Sequence, residues 1–122
     1  MACSFATGNS TVIKTAELTP LSATIFAKAV ENAGTPPGLI NILCGYGNDA
    51  GAYLVSHPDV NHVVFTGSVI TGKKILHMAA DKAMPAVVEL GGKSAGIVYP
   101  DANLDDVVDS ARHAIFGVAG QI

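Results

Sequence analysis

Charged residues are scarce in this 122-residue sequence, at 14% against 49% for hydrophobic residues. A free-standing domain usually carries about a quarter charged residues, so we expect part of the surface to be covered by further chain or by a partner subunit. The net charge is only -3 and no basic run occurs, so neither nucleic acid nor an anionic membrane is expected as a partner. No apolar run approaches the roughly 18 residues of a membrane span.

Cysteine is also nearly absent, and Cys3 and Cys44 are too few for a disulfide framework or a metal cluster. They are interpreted as buried free thiols of a reducing compartment. The N-terminus lacks the charged and long apolar regions of a secretory signal, and a cytoplasmic location is expected. The four histidines lack metal-ligand spacing, so no metal site is predicted.

Strand and helix patterns alternate along the sequence. Short apolar or β-branched runs predict five strands, at residues 10–14, 39–44, 61–65, 85–90 and 94–99. Four helices are predicted. Their N-caps are Thr19 for the first, Asp49 for the second and Asn103 or Asp101 for the fourth, and the third begins near residue 69. Because the strands barely alternate, both faces of the sheet are expected to be covered.

This order of elements predicts an α/β fold. We expect an open, mainly parallel, doubly wound Rossmann-like sheet with flanking helices. Residues 1–122 are expected to form one partial domain rather than two. In such sheets ligands bind at the carboxyl ends of the strands, where three turns stand out.

The turn Thr66-Gly67-Ser68 precedes a helix, whose N-terminal N–H groups and dipole favour an anion. Gly67 would let a phosphate approach the backbone. Its spacing to Gly72 is neither the dinucleotide fingerprint nor a P-loop. A phosphate site and an ordinary capped helix start both fit this turn.

Lys14 and Glu17 lie three residues apart just after the first predicted strand. Their ammonium and carboxylate groups suit the two hydroxyls of a ribose, and a carboxylate near the 2′-OH disfavours a 2′-phosphate. A solvated surface pair is the alternative interpretation.

The third turn follows Glu89, which ends an apolar strand containing Val87 and Val88. We expect its carboxyl group to be partly desolvated, which suits a general base. Gly91 and Gly92 leave space for a flat ligand ring. A solvated strand end beside a glycine turn is the alternative.

Six segments form a pattern that spans essentially the whole chain. They are G-N-S-T-V-I-K-T-A-E at 8–17 with T-P at 19–20, P-P-G at 36–38 with Asn41, G-Y-G at 45–47, F-T-G-S at 65–68 with Gly72, E-L-G-G-K at 89–93, and residues 116–121. This pattern resembles the NAD(P)-dependent aldehyde dehydrogenase superfamily, and F-T-G-S and E-L-G-G-K are its most specific parts. The resemblance implies an internal fragment of the cofactor-binding and catalytic region, running up to the start of the catalytic domain.

The resemblance also implies roles for individual residues. Cofactor contacts fall on Lys14 and Glu17 (adenosine ribose), Gly67 and Ser68 (pyrophosphate), and Leu90 and Gly91 (the turn beside the nicotinamide). Glu89 matches the general base that activates the thiol or the deacylating water. The implied reaction oxidises an aldehyde to a carboxylic acid, through thiol attack, hydride transfer from a thiohemiacetal to NAD(P)+ and thioester hydrolysis.

Glu17 favours NAD over NADP as the implied cofactor, because a carboxylate repels a 2′-phosphate. The implied partners are an aldehyde substrate and further copies of the chain in a homo-oligomer. The sequence departs from the family at Thr15, which replaces a usual proline, and at Asn48 and Thr71, where apolar residues near the adenine are more common. Weaker adenine packing is expected from the last two.

The sequence ends at Ile122, where the family's next residue is the nucleophilic cysteine. Neither Cys3 nor Cys44 matches that position. We therefore expect these 122 residues to be inactive in aldehyde oxidation on their own. A non-catalytic remnant that binds a nucleotide or a partner is the alternative.

Overall fold

The computed structural model describes residues 2–120. It divides into two units, Met1–Gly91 and Gly92–Ile122. In the first unit helices and strands alternate, as the sequence predicts. The elements of this unit are α1 (Ala2–Ala6), β1 (Thr11–Lys14), α2 (Leu21–Asn32), β2 (Ile40–Leu43), a π-helical turn (Gly47–Gly51) that leads into α3 (Ala52–Ser56), β3 (Val63–Gly67), α4 (Val69–Asp81) and β4 (Ala86–Leu90).

The four strands form two parallel pairs. β1 pairs with β2 in a register that matches Lys14 with Leu43, and β3 pairs with β4 in a register that matches Gly67 with Leu90. The hydrogen-bonded strands thus form two two-stranded sheets within the described part of the chain. Because both pairs are parallel, the carboxyl ends of the two strands in each pair meet at one edge. The predicted turns lie at these edges.

The core of the first unit lies between α3, α4 and the β3–β4 pair. Its members Val55, Ile75, Ala79 and Met84 are at most 8% exposed. Gly72, Ile75 and Ala79 recur at helical spacing and form the buried face of α4. This packing holds the N-terminus of α4 against the end of β3, where the predicted phosphate turn lies.

Lys82, the residue that follows α4, binds three backbone carbonyls in α3 and in the connection after it. Its Nζ donates hydrogen bonds to the backbone carbonyls of Val55 and Val60, at 3.4 and 3.1 Å, and to the carbonyl of His57. An ammonium group has three N–H donors, so three carbonyls satisfy it. Lys82 therefore fastens the connection between α3 and β3 to the end of α4.

The prediction that both faces of the strands are covered is wrong for β3 and β4 in this chain. Burial alternates along β4, and the outward-facing Val64 and Val87 are 68% and 47% exposed. Successive side chains of a strand point to opposite faces. One face lies on α4 and the core, and the apolar residues of the other face meet solvent.

Two predicted helix starts also differ from the structure. Pro20 rather than Thr19 occupies the N-cap of α2, with φ -77° and ψ -19°, because Thr19 N is engaged in a turn with Ala16 O at 3.3 Å. Asp49 does not cap a helix. It lies inside the π-helical turn, which begins after Tyr46 and is closed by a 3.2 Å hydrogen bond from Gly51 N to Tyr46 O.

The second unit contains α5 (Leu104–Phe116) and a short 3₁₀ segment, Gly117–Gly120. Asn103 caps α5, as predicted, and its side chain accepts from Asp105 N at 3.0 Å. Residues 94–99, predicted as a fifth strand, are irregular, since the described part of this unit has no second strand to pair with them.

Gln121 and Ile122, at the end of the motif at 116–121 and of the chain, lie outside the described residues. Among the helices that are described, none has the length and apolar character needed to cross a bilayer.

Candidate functional site

Lys14 and Glu17 form an ion pair at the carboxyl edge of the β1–β2 sheet. Lys14 Nζ lies 3.1 Å from Glu17 Oε2, and the two side chains are 16% and 47% exposed. The aliphatic part of Lys14 packs over the π-helical turn, since its Cδ is 3.7 Å from the Cβ position of Gly51. Lys14 is therefore held from both ends, while Glu17 stays open to solvent.

The electrostatics of this pair keep Glu17 ionised. A hydrogen bond from its own backbone lowers the pKa of the Glu17 carboxyl below its ordinary value, and the hydrogen bond and positive charge of Lys14 lower it further. At neutral pH the pair thus presents one cation and one carboxylate with free acceptor positions.

Thr15 is the buried polar residue beneath this pair, at 7% exposure. Its N–H donates to Leu43 O at 2.9 Å, and its Oγ1 contacts Cys44 Sγ at 3.7 Å. A proline here would lack that N–H, so threonine adds a bond to the strand ladder. This contact could not be predicted from the sequence, because it joins residues 29 positions apart.

A cleft of about 160 Å³ opens beside the pair. It is lined by Thr15, Glu17, Pro20, Cys44, Gly45 and Tyr46. The residues come from the segments that follow β1 and β2. The edge of this sheet thus provides both charged groups and space for part of a ligand.

Ser68 caps α4. This is the ordinary capped helix start that the sequence offered as the alternative to a phosphate site. Its backbone is extended, with φ -68° and ψ 149°. Its Oγ accepts from Thr71 N at 3.2 Å and lies 3.0 Å from Thr71 Oγ1. The N–H groups of Val69 and Ile70 have no intrahelical acceptor, because the first N–H bonded along the helix is that of Gly72, which donates to Ser68 O. They point out of the helix end. The capped helix start therefore still offers backbone donors and a partial positive charge to an anion.

Gly67 also has a packing reason to lack a side chain. A Cβ at this position would lie 2.5 Å from Cζ of the Phe65 ring. The absence of a side chain therefore makes room for Phe65, which packs against the core. The phosphate role predicted for Gly67 stays a prediction.

Gly72 lets α4 approach the end of β4. A Cβ on Gly72 would lie only 2.3 Å from Leu90 Cδ2, closer than two carbon atoms can pack. This contact links α4, the helix that follows the Thr66-Gly67-Ser68 turn, to β4, the strand that precedes the turn at Gly91. The Leu90 side chain is directed to α4, while the Cβ direction of Gly91 meets no described atom within 4 Å.

Glu89 is exposed, and the prediction of a partly desolvated carboxyl group is wrong for this structure. Glu89 pairs with Thr66 across the β3–β4 ladder. It shares the outward face of β4 with Val87, which is 47% exposed. The run Val87-Val88-Glu89 does not reveal in advance which of its residues face solvent.

The described residues contain no group of three or more histidine, cysteine or acidic side chains that could hold a metal ion. Both cysteines are free, but the prediction that they are buried is wrong, because both are exposed.

Comparison with known proteins defines the class. The profile described as "Aldehyde dehydrogenase family" matches residues 1–122. An aldehyde dehydrogenase of Alternaria alternata is 46% identical over 117 residues, which cover 95% of this chain and 24% of the relative. The mitochondrial aldehyde dehydrogenase family 2 member B4 of Arabidopsis thaliana is 50% identical, with 95% of this chain and 22% of the relative covered.

Solved structures agree with this assignment. The NAD+ complex of an aldehyde dehydrogenase from Bacillus cereus superposes with a TM-score of 0.95 at 42% identity, over 100% of this chain and 25% of that one. The chain has the α/β fold of this part of those enzymes. It belongs to the aldehyde dehydrogenase family, a family of oxidoreductases. It spans about a quarter of the length of the relatives it matches.

Proposed function

We propose that this chain is the cofactor-binding segment of an NAD-dependent aldehyde dehydrogenase, and that residues 1–122 are part of its NAD-binding domain, up to the start of the catalytic domain. The complete enzyme oxidises an aldehyde to a carboxylic acid and assembles as a homo-oligomer. In the complete enzyme a cysteine thiol would take up the aldehyde and water would release the acid, and bound NAD+ would supply the hydride acceptor. The observation that carries the proposal is the Lys14–Glu17 pair at the carboxyl edge of two parallel strands.

The groups at this edge suit a ribose. Vicinal hydroxyls of a sugar both donate and accept, and the pair supplies an ammonium donor beside a carboxylate acceptor. The ammonium is held by its ion pair with Glu17, which lowers the entropy cost of binding. Lys14 and Glu17 are therefore assigned to the two hydroxyls of the adenosine ribose.

The charge of Glu17 favours NAD over NADP. Its lowered pKa keeps the carboxylate ionised at neutral pH, and an ionised carboxylate repels a 2′-phosphate. The lysine contact is common to both cofactors, so Glu17 is assigned the discrimination between them.

The start of α4 suits the pyrophosphate. Ser68 Oγ, the backbone N–H groups of the first helical turn and the helix dipole converge there on an anion. Gly67 keeps the chain close to this contact by accommodating the Phe65 ring. NAD+ supplies a hydride acceptor at its nicotinamide, which we assign to the turn at Leu90 and Gly91.

Glu89 is assigned as the general base. Its exposed carboxylate lies on the penultimate residue of β4, one residue before Leu90, where it can accept a proton from the thiol or from the deacylating water. Exposure lets the group exchange its proton with solvent between turnovers.

Calorimetric titration of the 122-residue chain with NAD+ and NADP+ tests the proposal. We expect NAD+ to bind more tightly than NADP+, and Glu17→Gln to reduce that ratio several-fold. Glu31→Gln is the matched control, because Lys28 and Glu31 form a second pair at the same sequence spacing, 2.7 Å apart, on the exposed side of α2. No heat at millimolar NAD+, or a clear preference for NADP+, contradicts the proposal.

A further inference from the structure

The hydroxyl of Ser68 is held by one residue through two contacts. Thr71 N donates to Ser68 Oγ at 3.2 Å, and Thr71 Oγ1 lies 3.0 Å from the same oxygen. Both residues are exposed, so a ligand has access to the pair. In the sequence alone, Thr71 is only a departure from a usually apolar position, and nothing links it to Ser68.

The two hydroxyls can form a hydrogen bond with each other in two arrangements. A hydroxyl has one proton to donate and two lone pairs to accept with, and the backbone N–H of Thr71 occupies one lone pair of Ser68. In the first arrangement Ser68 donates to Thr71 and has no proton left for a ligand. In the second, Thr71 donates to the remaining lone pair of Ser68, and the Ser68 proton turns outward. Rotation of the two hydroxyl hydrogens interconverts them.

An anion at the start of α4 selects the second arrangement. A hydrogen bond to a charged oxygen is roughly twice as strong as one between neutral groups, so the outward proton is favoured once a phosphate is present. In that state Ser68 Oγ accepts two hydrogen bonds and donates one, which fills its capacity. With valine at position 71, only the backbone bond would orient the oxygen.

We propose that Thr71 is a positioning residue for the Ser68 hydroxyl, and that its side chain donates to Ser68 while Ser68 donates to a phosphate oxygen of the cofactor. The inference rests on the proposed function, since it needs a pyrophosphate at this helix start. Thr71 acts through Ser68. Its effect is therefore confined to ligands that carry a phosphate.

The test compares NAD+ with adenosine, which lacks phosphate, on the 122-residue chain and its variants. Thr71→Val keeps the side-chain shape and the backbone N–H but removes the hydroxyl. We expect it to bind NAD+ about two- to tenfold more weakly, as the loss of one neutral hydrogen bond implies. Adenosine affinity should not fall, because valine suits a position near the adenine at least as well as threonine, and the thermal midpoint should not change. Thr71→Ser should restore NAD+ binding.

Ser68→Ala separates this inference from the proposed function. If Ser68→Ala weakens NAD+ binding but Thr71→Val leaves it unchanged or tighter, the role of Thr71 is refuted and the phosphate contact stands. An equal loss of adenosine affinity in Thr71→Val would also refute it, since the effect would then be general. If neither variant changes NAD+ binding, or if NAD+ does not bind at all, the proposed pyrophosphate contact is wrong as well.

Discussion

Gly72→Ala is the substitution whose effect is most directly set by the structure. Gly72 is buried in α4, and the added Cβ would lie 2.3, 2.9 and 3.1 Å from Cδ2, Cδ1 and Cγ of Leu90. The obstacle is one side chain at the end of β4. Leu90 must rotate or α4 must move away from the strand.

Two opposing effects set the change in the free energy of unfolding caused by Gly72→Ala. Overpacking a well-filled site costs about 1–3 kcal/mol, while alanine in place of glycine favours a helix by about 1 kcal/mol. We expect the free energy of unfolding to fall by about 1 kcal/mol in Gly72→Ala. With Leu90→Ala as background the obstacle is gone, and the same substitution should stabilise the chain by up to about 1 kcal/mol. The coupling between the two positions is then about 2 kcal/mol.

Urea unfolding followed by far-UV circular dichroism measures these differences, provided the dependence on urea is the same in all variants. Gly51→Ala is the matched control. Gly51 is also helical, with φ -66° and ψ -49°, but its Cβ would make an ordinary 3.7 Å contact with Lys14 Cδ. It should be neutral or stabilising. A Gly72→Ala variant as stable as the parent, or equally destabilised in the Leu90→Ala background, would refute the packing argument.

Three further predictions concern charged and capping groups. The pKa of Glu17 is lowered from 4.5 in the folded chain by its backbone hydrogen bond and then by Lys14, so these interactions stabilise the fold above that value and the effect is lost as the pH falls through the lowered pKa. The thermal midpoints of the parent and Glu17→Gln should converge in acid. Lys82→Met removes three hydrogen bonds to carbonyls and should lower the free energy of unfolding by about 2 kcal/mol, whereas the exposed Lys74→Met should change it by less than about 0.5 kcal/mol in urea unfolding. Asn103→Ala removes the cap of α5 and should reduce helix content by circular dichroism, with a cost of about 1 kcal/mol; an unchanged helix signal would contradict that role.

Local patterns of the sequence predicted the elements that carry the candidate site. The predicted helix near residue 69 begins at Val69, and the strand predicted at 85–90 is Ala86–Leu90. These succeed because a turn signal such as Thr66-Gly67-Ser68 acts over a few residues and needs no distant partner. The cap of α5 was narrowed to Asn103 or Asp101 for the same reason, and the structure shows that it is Asn103.

Features that depend on distant residues could not be predicted in this way. The exposure of Glu89 depends on which face of β4 meets α4, and two neighbouring valines do not encode it. The strand predicted at 94–99 failed because a strand requires a hydrogen-bonding neighbour, which its own sequence does not specify. The Thr15–Cys44 and Gly72–Leu90 contacts likewise join segments far apart in sequence.

We propose above all that the residues after β1 bind the adenosine ribose of NAD+ and that those after β3 bind its pyrophosphate. Titration of the isotope-labelled chain with NAD+, followed by backbone amide NMR, tests it most directly. We predict the largest shift changes at residues 15–17 and 68–70, and none at the equivalent Lys28–Glu31 pair on α2. Changes that are absent at both strand ends, or that concentrate elsewhere in the chain, would contradict it.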